Sequence, residues 1–343
     1  MAAAPVEGAP ADADEVRYAP GGSRPFATPT EVSSVATAAD VLTPANIAWA
    51  AAGTVVLAIL VVVPTQFANS AADTLVGRAL ARWRRWRKTP TETDAEAGIA
   101  FRGWPWAAAG VLAAAVIASL ADPNFGFDAA SLRVFLSILV SFAIEVVLGW
   151  LAVVMLVRRT HPQVSASFQF APLSLVIVIG AVLLSRLSGF EPPIIFGLVA
   201  GVAFAGLTTA AEKARVALIS LGWAFGIGVV AWVAYSLVAS DATVLRELLS
   251  TAGIAGISAL PIALLPLRGL VGRAVWDWSL RAWLVAYAVG LFAFMLVLLP
   301  LPGSWSEVDM GLATWVALFV AYFVGAFAIW LVVTRPWVKM RRG

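Results

Sequence analysis

The stretch RVFLSILVSFAIEVVLGWLAVVMLV, residues 133–157, decides how this chain is read. From Arg133 to the pair Arg158-Arg159 it is apolar except for one charge, Glu145, and three small polar or flexible positions. At 1.5 Å per residue, a helix of that length exceeds the roughly 30 Å of a bilayer's hydrocarbon core. A β-barrel strand would alternate apolar and polar residues over about ten positions. In lipid every backbone N–H and C=O must be paired, so the stretch predicts a transmembrane helix.

Comparable runs lie near 46–66, 104–121, 169–187, 193–210, 217–239, 249–267, 282–300 and 311–333. With 133–157 they predict an all-α, polytopic transmembrane bundle of about nine spanning helices. The run at 193–210 is short, and 249–267 is interrupted by Gly253, Gly256 and Pro261, which leaves a count of eight open. Composition points the same way: 61% of the 343 residues are hydrophobic and 13% charged, against about 45–50% and 25% in soluble domains. Most connections are short, so consecutive helices are expected to be antiparallel neighbours.

Basic residues orient the map. Of the 23 Lys and Arg, 18 fall on one set of alternate loops and only Arg17, Arg24, Arg133, Arg186 and Arg246 on the other. Lys and Arg concentrate in cytoplasmic loops, so the N-terminus is expected to be extracytoplasmic and the C-terminus cytoplasmic, in a cell membrane. Trp104, Trp106, Trp278, Trp283 and Trp337 fall near inner ends, where indole rings favour the interface.

The expected organisation follows. Residues 1–45, rich in Ala, Pro, Ser, Thr and acidic residues, form a disordered extracytoplasmic segment. Residues 46–66 form the first transmembrane helix, which also serves as targeting signal because no basic n-region opens the chain. Residues 67–103 form a basic cytoplasmic amphipathic segment and linker, residues 104–334 an eight-helix bundle, and residues 335–343 a basic cytoplasmic tail.

Within the basic segment, DTLVGRALARWRRWRK (73–88) places Leu75, Val76, Ala79, Leu80, Trp83 and Trp86 on one helical stripe. Arg78, Arg82, Arg84, Arg85, Arg87 and Lys88 fill the other faces and are candidate contacts for anionic headgroups on the cytoplasmic side. The plainer reading is a stop-transfer anchor. Nucleic acid is not expected as a partner, since most basic residues sit at the ends of apolar runs.

Two neighbouring runs carry Gly197-x-x-x-Gly201 and Gly222-x-x-x-Gly226, a spacing that lets helix backbones approach closely. Packing within one chain is the plainer reading and homo-oligomerisation the sharper one. Ser188-Gly-Phe-Glu-Pro-Pro193 reads as a tight hairpin, with Glu191 beside Arg186 at an outer edge. Glu145 is the most informative residue: a carboxylate at mid-bilayer costs about 2.5–3.5 kcal/mol even on lenient scales, so it needs protonation, a partner or water. It serves either as a structural acid or as a proton or cation site.

Several chemistries are excluded. The chain has no cysteine and one histidine, His161, which removes thiolate and most histidine-based sites. No catalytic residue, cofactor or metal is expected.

Val63-Pro-Thr-Gln-Phe-Ala-Asn-Ser70, Phe190-Glu-Pro-Pro-Ile-Ile-Phe-Gly-Leu198 and Leu264-Leu-Pro-Leu-Arg-Gly-Leu270, followed by Trp276 and Trp278, resemble in that order the FGLLP motif-containing actinobacterial multipass membrane proteins. Ile262-Ala-Leu-Leu-Pro266 stands where Phe-Gly-Leu-Leu-Pro is the pattern. The resemblance covers nearly all of residues 46–340 and implies a multipass bundle with an outward-facing N-terminal region, but no defined activity. The segment at 264–270 also resembles a late span of site-2 proteases. Val271-Gly272 stands in place of their Asp-Gly, no His-Glu-x-x-His exists, and zinc chemistry does not carry over.

Three functions remain. The first is a non-catalytic envelope protein, an anchor or assembly partner for other envelope proteins. The second is a transporter or channel with an acidic mid-membrane site at Glu145. The third is an enzyme acting on lipid-linked substrates through Asp122 and Asp128.

Overall fold

The computed structural model describes residues 24–26, 28, 30–84, 101–160, 165–170, 172–188, 192–196, 200–205, 209–267, 270–299 and 312–334. Its helices are α1 (Ala38–Val41), α2 (Pro44–Arg84), α3 (Trp104–Ser119), α4 (Ala129–Thr160), α5 (Pro172–Ser188), α6 (Ala210–Leu237), α7 (Thr243–Ala263), α8 (Val271–Trp278), α9 (Leu280–Val297) and α10 (Leu312–Thr334). Three strands, β1 (Phe101–Arg102), β2 (Ser165–Phe170) and β3 (Ala200–Ala205), complete the elements.

The chain is predominantly helical, and among the described residues five helical stretches are long and apolar enough to cross a membrane: Pro44–Ala71, Ala129–Arg159, Ala210–Leu237, Thr243–Ala263 and Leu280–Val297. Shorter apolar helices cover Trp104–Ser119, Ser174–Leu187 and Val320–Val333.

α7 is the axis, buried at every position from Ser250 through Pro261. Its small residues explain why. Gly256 sits directly against Gly228 of α6, where a Cβ on Gly256 would meet Ala224 O at 2.5 Å and Gly228 Cα at 2.7 Å. Backbones that close allow a ridge of one helix to settle into the other. Pro261, expected as a break, lies inside the continuous helix. Around α7 stand α4, α6 and α9, with α2 packed on α9 and α10 packed on α2. The last two meet through Phe67, whose ring lies 5.5 Å from that of Phe327 and 5.9 Å from that of Phe323.

The glycine expectation is corrected accordingly. A Cβ on Gly222 or Gly226 would touch nothing within 4 Å, because both lie on the exposed face of α6. Gly197 is outside the described residues, and Gly201 lies in β3 opposite Gln169. The tight crossing is made by Gly228 and Gly256, which sit on different helices and so carry no in-line spacing signal.

The expected helix over 193–210 is also corrected, while the chain as a whole remains predominantly helical. Pro192–Phe196 is buried without helical structure, and Ala200–Ala205 is a strand paired antiparallel to β2, with Ala200 opposite Phe170 and Ala205 opposite Ser165. β2 also pairs with β1, giving a sheet of order β1-β2-β3. A short apolar run rich in Gly and β-branched residues reads alike as buried strand or helix, and Pro192-Pro193 tips it away from helix. Two of its buried backbone groups are met by serines of neighbouring helices. Ile194 N–H donates to Ser185 Oγ at 2.8 Å, Ser258 Oγ donates to Ile195 O, and the two prolines bring no N–H.

Contacts group the helix termini into two ends. At one, the start of α4 meets the start of α7 through Arg133 and Glu247, the end of α5 meets the turn after α3 through Arg186, and the end of α6 carries Trp232 and Tyr235. At the other lie the sheet, the end of α4, the start of α6 and α8, where Arg215 stacks over Trp278 at 5.6 Å. Trp104 and Trp106 are exposed there, whereas Trp283 is buried and donates to Leu264 O at 2.8 Å.

The helix expected over 73–88 continues α2 without a break as far as Arg84. Arg78, Arg82 and Arg84 thus lie on the last turns of α2, while Arg85, Arg87 and Lys88 are outside the described residues.

Candidate functional site

Residues 24–26, 28 and 30–43, expected as part of a disordered segment, instead fold across the first end of the bundle as a strap. Val32, Val35 and Val41 are buried beneath it. Its backbone carbonyls are met by side chains from the bundle: Tyr235 Oη donates to Ser33 O at 2.7 Å and Trp232 Nε1 to Ala36 O at 2.9 Å. Ser250 Oγ donates to Val32 O. Three isolated valines in a polar stretch give little sequence signal, and the partners that order the strap lie about 200 residues away in the chain.

Beneath the strap lies a buried ionic cluster. Arg24 reaches Asp128 Oδ2 through Nε at 2.9 Å and Asp122 Oδ2 through Nη1 at 3.2 Å, and donates to Ser131 Oγ at 2.9 Å. One turn deeper, Arg133 pairs with Glu247 Oε2 through Nη2 at 2.7 Å and Nε at 2.9 Å. Arg133 also donates to Phe26 O, and to Thr28 O at 2.6 Å. Thr30 Oγ1 donates to the same Glu247 oxygen at 3.0 Å, so one carboxylate ties α4, α7 and the strap together. Arg133 and Glu247 are 1% and 0% exposed, and a buried pair of this kind holds only when its remaining donors are met.

Asp128 sits just ahead of α4, where Oδ1 accepts the Ser131 N–H at 2.7 Å as an N-cap does. Burial alone would raise its carboxyl, but hydrogen bonds from Arg24 and Ser131 outweigh that and hold it below the ordinary carboxylate range. A carboxyl depressed in the folded state stabilises fully above its unfolded pKa, and that contribution is lost as pH falls toward the folded value. Hydrogen exchange across residues 30–41, corrected for intrinsic rates, is therefore expected to stay protected down to about pH 4 and to lose protection only below it. Protection that fades already near neutral pH would contradict this attachment.

Of the residues singled out by sequence, Arg186 is exposed and donates to Asp122 O at 3.1 Å, while Glu191 and the expected hairpin lie outside the described residues. Glu145 is 5% exposed, on the inward face of α4, and among the described residues neither carboxyl oxygen has a hydrogen-bond partner. Sequence reading found Asp122, Asp128 and Glu145, but missed the Arg133–Glu247 pair. The available signal was two opposite charges at the same end of two apolar runs, Arg133 opening 133–157 and Glu247 just ahead of 249–267.

The length and apolarity of the helices are those of a membrane protein. No protein-family model matches the chain, and comparisons with curated proteins and with solved structures find no similar one.

Proposed function

We propose that the protein is a non-catalytic integral membrane protein of the cell envelope, an anchor that holds its N-terminal segment in a fixed place at the extracytoplasmic face for assembly with other envelope proteins. The observation that carries this reading is the strap: buried ion pairs and hydrogen bonds to α4, α6 and α7 fix the chain from Arg24 onward, so whatever precedes it leaves the bundle at a defined point. In this reading the N-terminus is outside and the C-terminus inside, with nine crossings, eight helical and one made by the non-helical segment and β3.

The charge distribution supports that orientation in a specific way. At the strap end Arg24, Arg133, Arg186 and Arg246 are each engaged, the last donating to Tyr235 Oη at 2.8 Å and Val238 O at 2.9 Å. Of the five arginines that depart from the positive-inside pattern these four are thus structural, and Arg17 lies outside the described residues. Asp122 and Asp128 direct their oxygens to Arg24, to Ser131 and to the Asn124 N–H at 2.8 Å, which favours a structural role over chemistry on a lipid-linked substrate.

Because the chain has no cysteine, single-cysteine variants test the orientation directly. Asn124→Cys and Ser240→Cys are expected to react with an impermeant thiol reagent in intact cells, and Asp277→Cys only after the membrane is opened. Reaction of Asp277→Cys in intact cells would overturn the map. For the anchoring role, a photo-crosslinker at the fully exposed Phe127, beside the strap, should yield a discrete protein adduct that disappears when residues 1–23 are deleted. An adduct indifferent to that deletion would count against it.

A further inference from the structure

The inward face of α4 carries a polar residue at every fourth position: Arg133, Ser137, Ser141 and Glu145, each at most 5% exposed. Four-residue spacing stacks them along one side of the helix. α7 faces them with Glu247, Ser250 and Thr251, all buried. The two rows touch: Ser141 Oγ donates to Thr251 Oγ1 at 3.0 Å, and Thr251 Oγ1 lies 2.6 Å from Glu247 O and 2.9 Å from Leu248 O. The seam begins under the strap at Arg24, Asp122 and Asp128 and runs inward. It ends at Glu145, since the inward positions one and two turns further are Gly149 and Val153.

From Arg133 to Glu145 is about 18 Å at 1.5 Å per residue, roughly halfway through a hydrocarbon core. A carboxyl at that depth with both oxygens unpartnered is costly unless a ligand compensates it. A hard metal ion would take six or more oxygen ligands, and among the described residues no group of three or more Asp, Glu or His side chains is placed to hold one. An ion pair is no better supplied. The other titratable residues of the three helices are Arg133, Arg158 and Arg159 on α4, Glu212, Lys213, Arg215 and Tyr235 on α6, and Arg246 and Glu247 on α7, all within about two turns of a helix end. The ligand that fits a lone carboxyl is a proton.

We propose that Glu145 is a proton-binding site of the membrane core, and that its proton exchanges with water at the strap end along the hydroxyls of the α4–α7 seam. Ser141 and Thr251 are bonded to each other, and water completes the steps from Glu145 to Ser141 and from Thr251 to the strap end; hydroxyl and water alike donate and accept, so each passes one proton forward as it takes one from behind and no charge rests on the relay. The carboxylate gains the proton and becomes neutral; on release the reverse sequence returns it to the strap-end water. This goes beyond the anchoring role and does not depend on it.

Infrared spectroscopy of the full-length protein in phospholipid vesicles tests the site. The wild type should show a carboxylic-acid C=O band that Glu145→Gln removes. After transfer to deuterated water the band should shift as the proton exchanges. Thr251→Val, which keeps shape and loses the hydroxyl, should slow that shift about tenfold, and Thr251→Ser should restore it. The Val and Ser variants leave Glu145 in place, so the second measurement stands even if Glu145→Gln does not fold. No band dependent on Glu145, or an exchange rate equal in wild type and Thr251→Val, would overturn the proposal.

Discussion

Replacing Arg133 by methionine is expected to destabilise the protein by about 3–5 kcal/mol, the range for breaking a buried ion pair from one side. The reason lies with the residue left behind. Glu247 is 0% exposed and would keep a charge whose remaining partner is the Thr30 hydroxyl. The strap would lose the donors to Phe26 O and Thr28 O as well. Equilibrium unfolding in lipid should show the loss, together with faster hydrogen exchange over residues 30–41. The double variant Arg133→Met/Glu247→Leu removes both charges and should recover most of the stability, because apolar residues of similar volume replace buried pairs at little cost. If the single and double variants are equally destabilised, the ion pair is not the source of the effect.

The second large effect belongs to the α6–α7 crossing. Gly256→Ala places a Cβ 2.5 Å from Ala224 O, and Gly228→Ala places one 2.7 Å from Ile257 N and 2.8 Å from Gly256 Cα. Main-chain atoms cannot move aside as the tip of a side chain would. Each change should cost about 1–3 kcal/mol by forcing the helices apart. The two glycines face each other, so the double variant should cost less than the sum of the singles. Gly222→Ala and Gly226→Ala are the controls, expected within about 0.5 kcal/mol of wild type because open space surrounds both. Equal losses at all four positions would mean that the exposed face of α6 is also packed, against a second copy of the chain.

What was legible in the sequence was whatever depends on long local averages. Apolar runs mark where most of the long apolar helices form, since they are sums over many residues. A single anomalous charge, Glu145, stood out for the same reason: its neighbours are uniform. What failed depends on pairing between distant residues. The strap is held by partners on α4, α6 and α7, and its own composition is that of a loose tail. The run at 193–210 is apolar enough for a helix, and only the serines on α5 and α7 that meet its backbone make a non-helical path affordable. The glycines that matter, Gly228 and Gly256, lie on separate helices, so a search for in-line spacing selected Gly222 and Gly226 on the exposed side.

The non-helical segment at Pro192–Phe196 also bears on how the protein is made. A helix leaving the ribosome satisfies its own backbone and can enter lipid as soon as it is long enough. This segment cannot, because the bond from Ser258 to Ile195 comes from a residue 63 positions later in the chain. Until α7 emerges, an unmet peptide group in hydrocarbon would cost several kcal/mol. If this segment crosses the membrane as proposed, biosynthesis is not a strict sequence of one span after another: the segment is expected to wait at the membrane surface or in the insertion machinery while α6 and α7 are completed. Nascent chains arrested before Ser258 should hold that segment accessible to water, and chains arrested well beyond Ala263 should not.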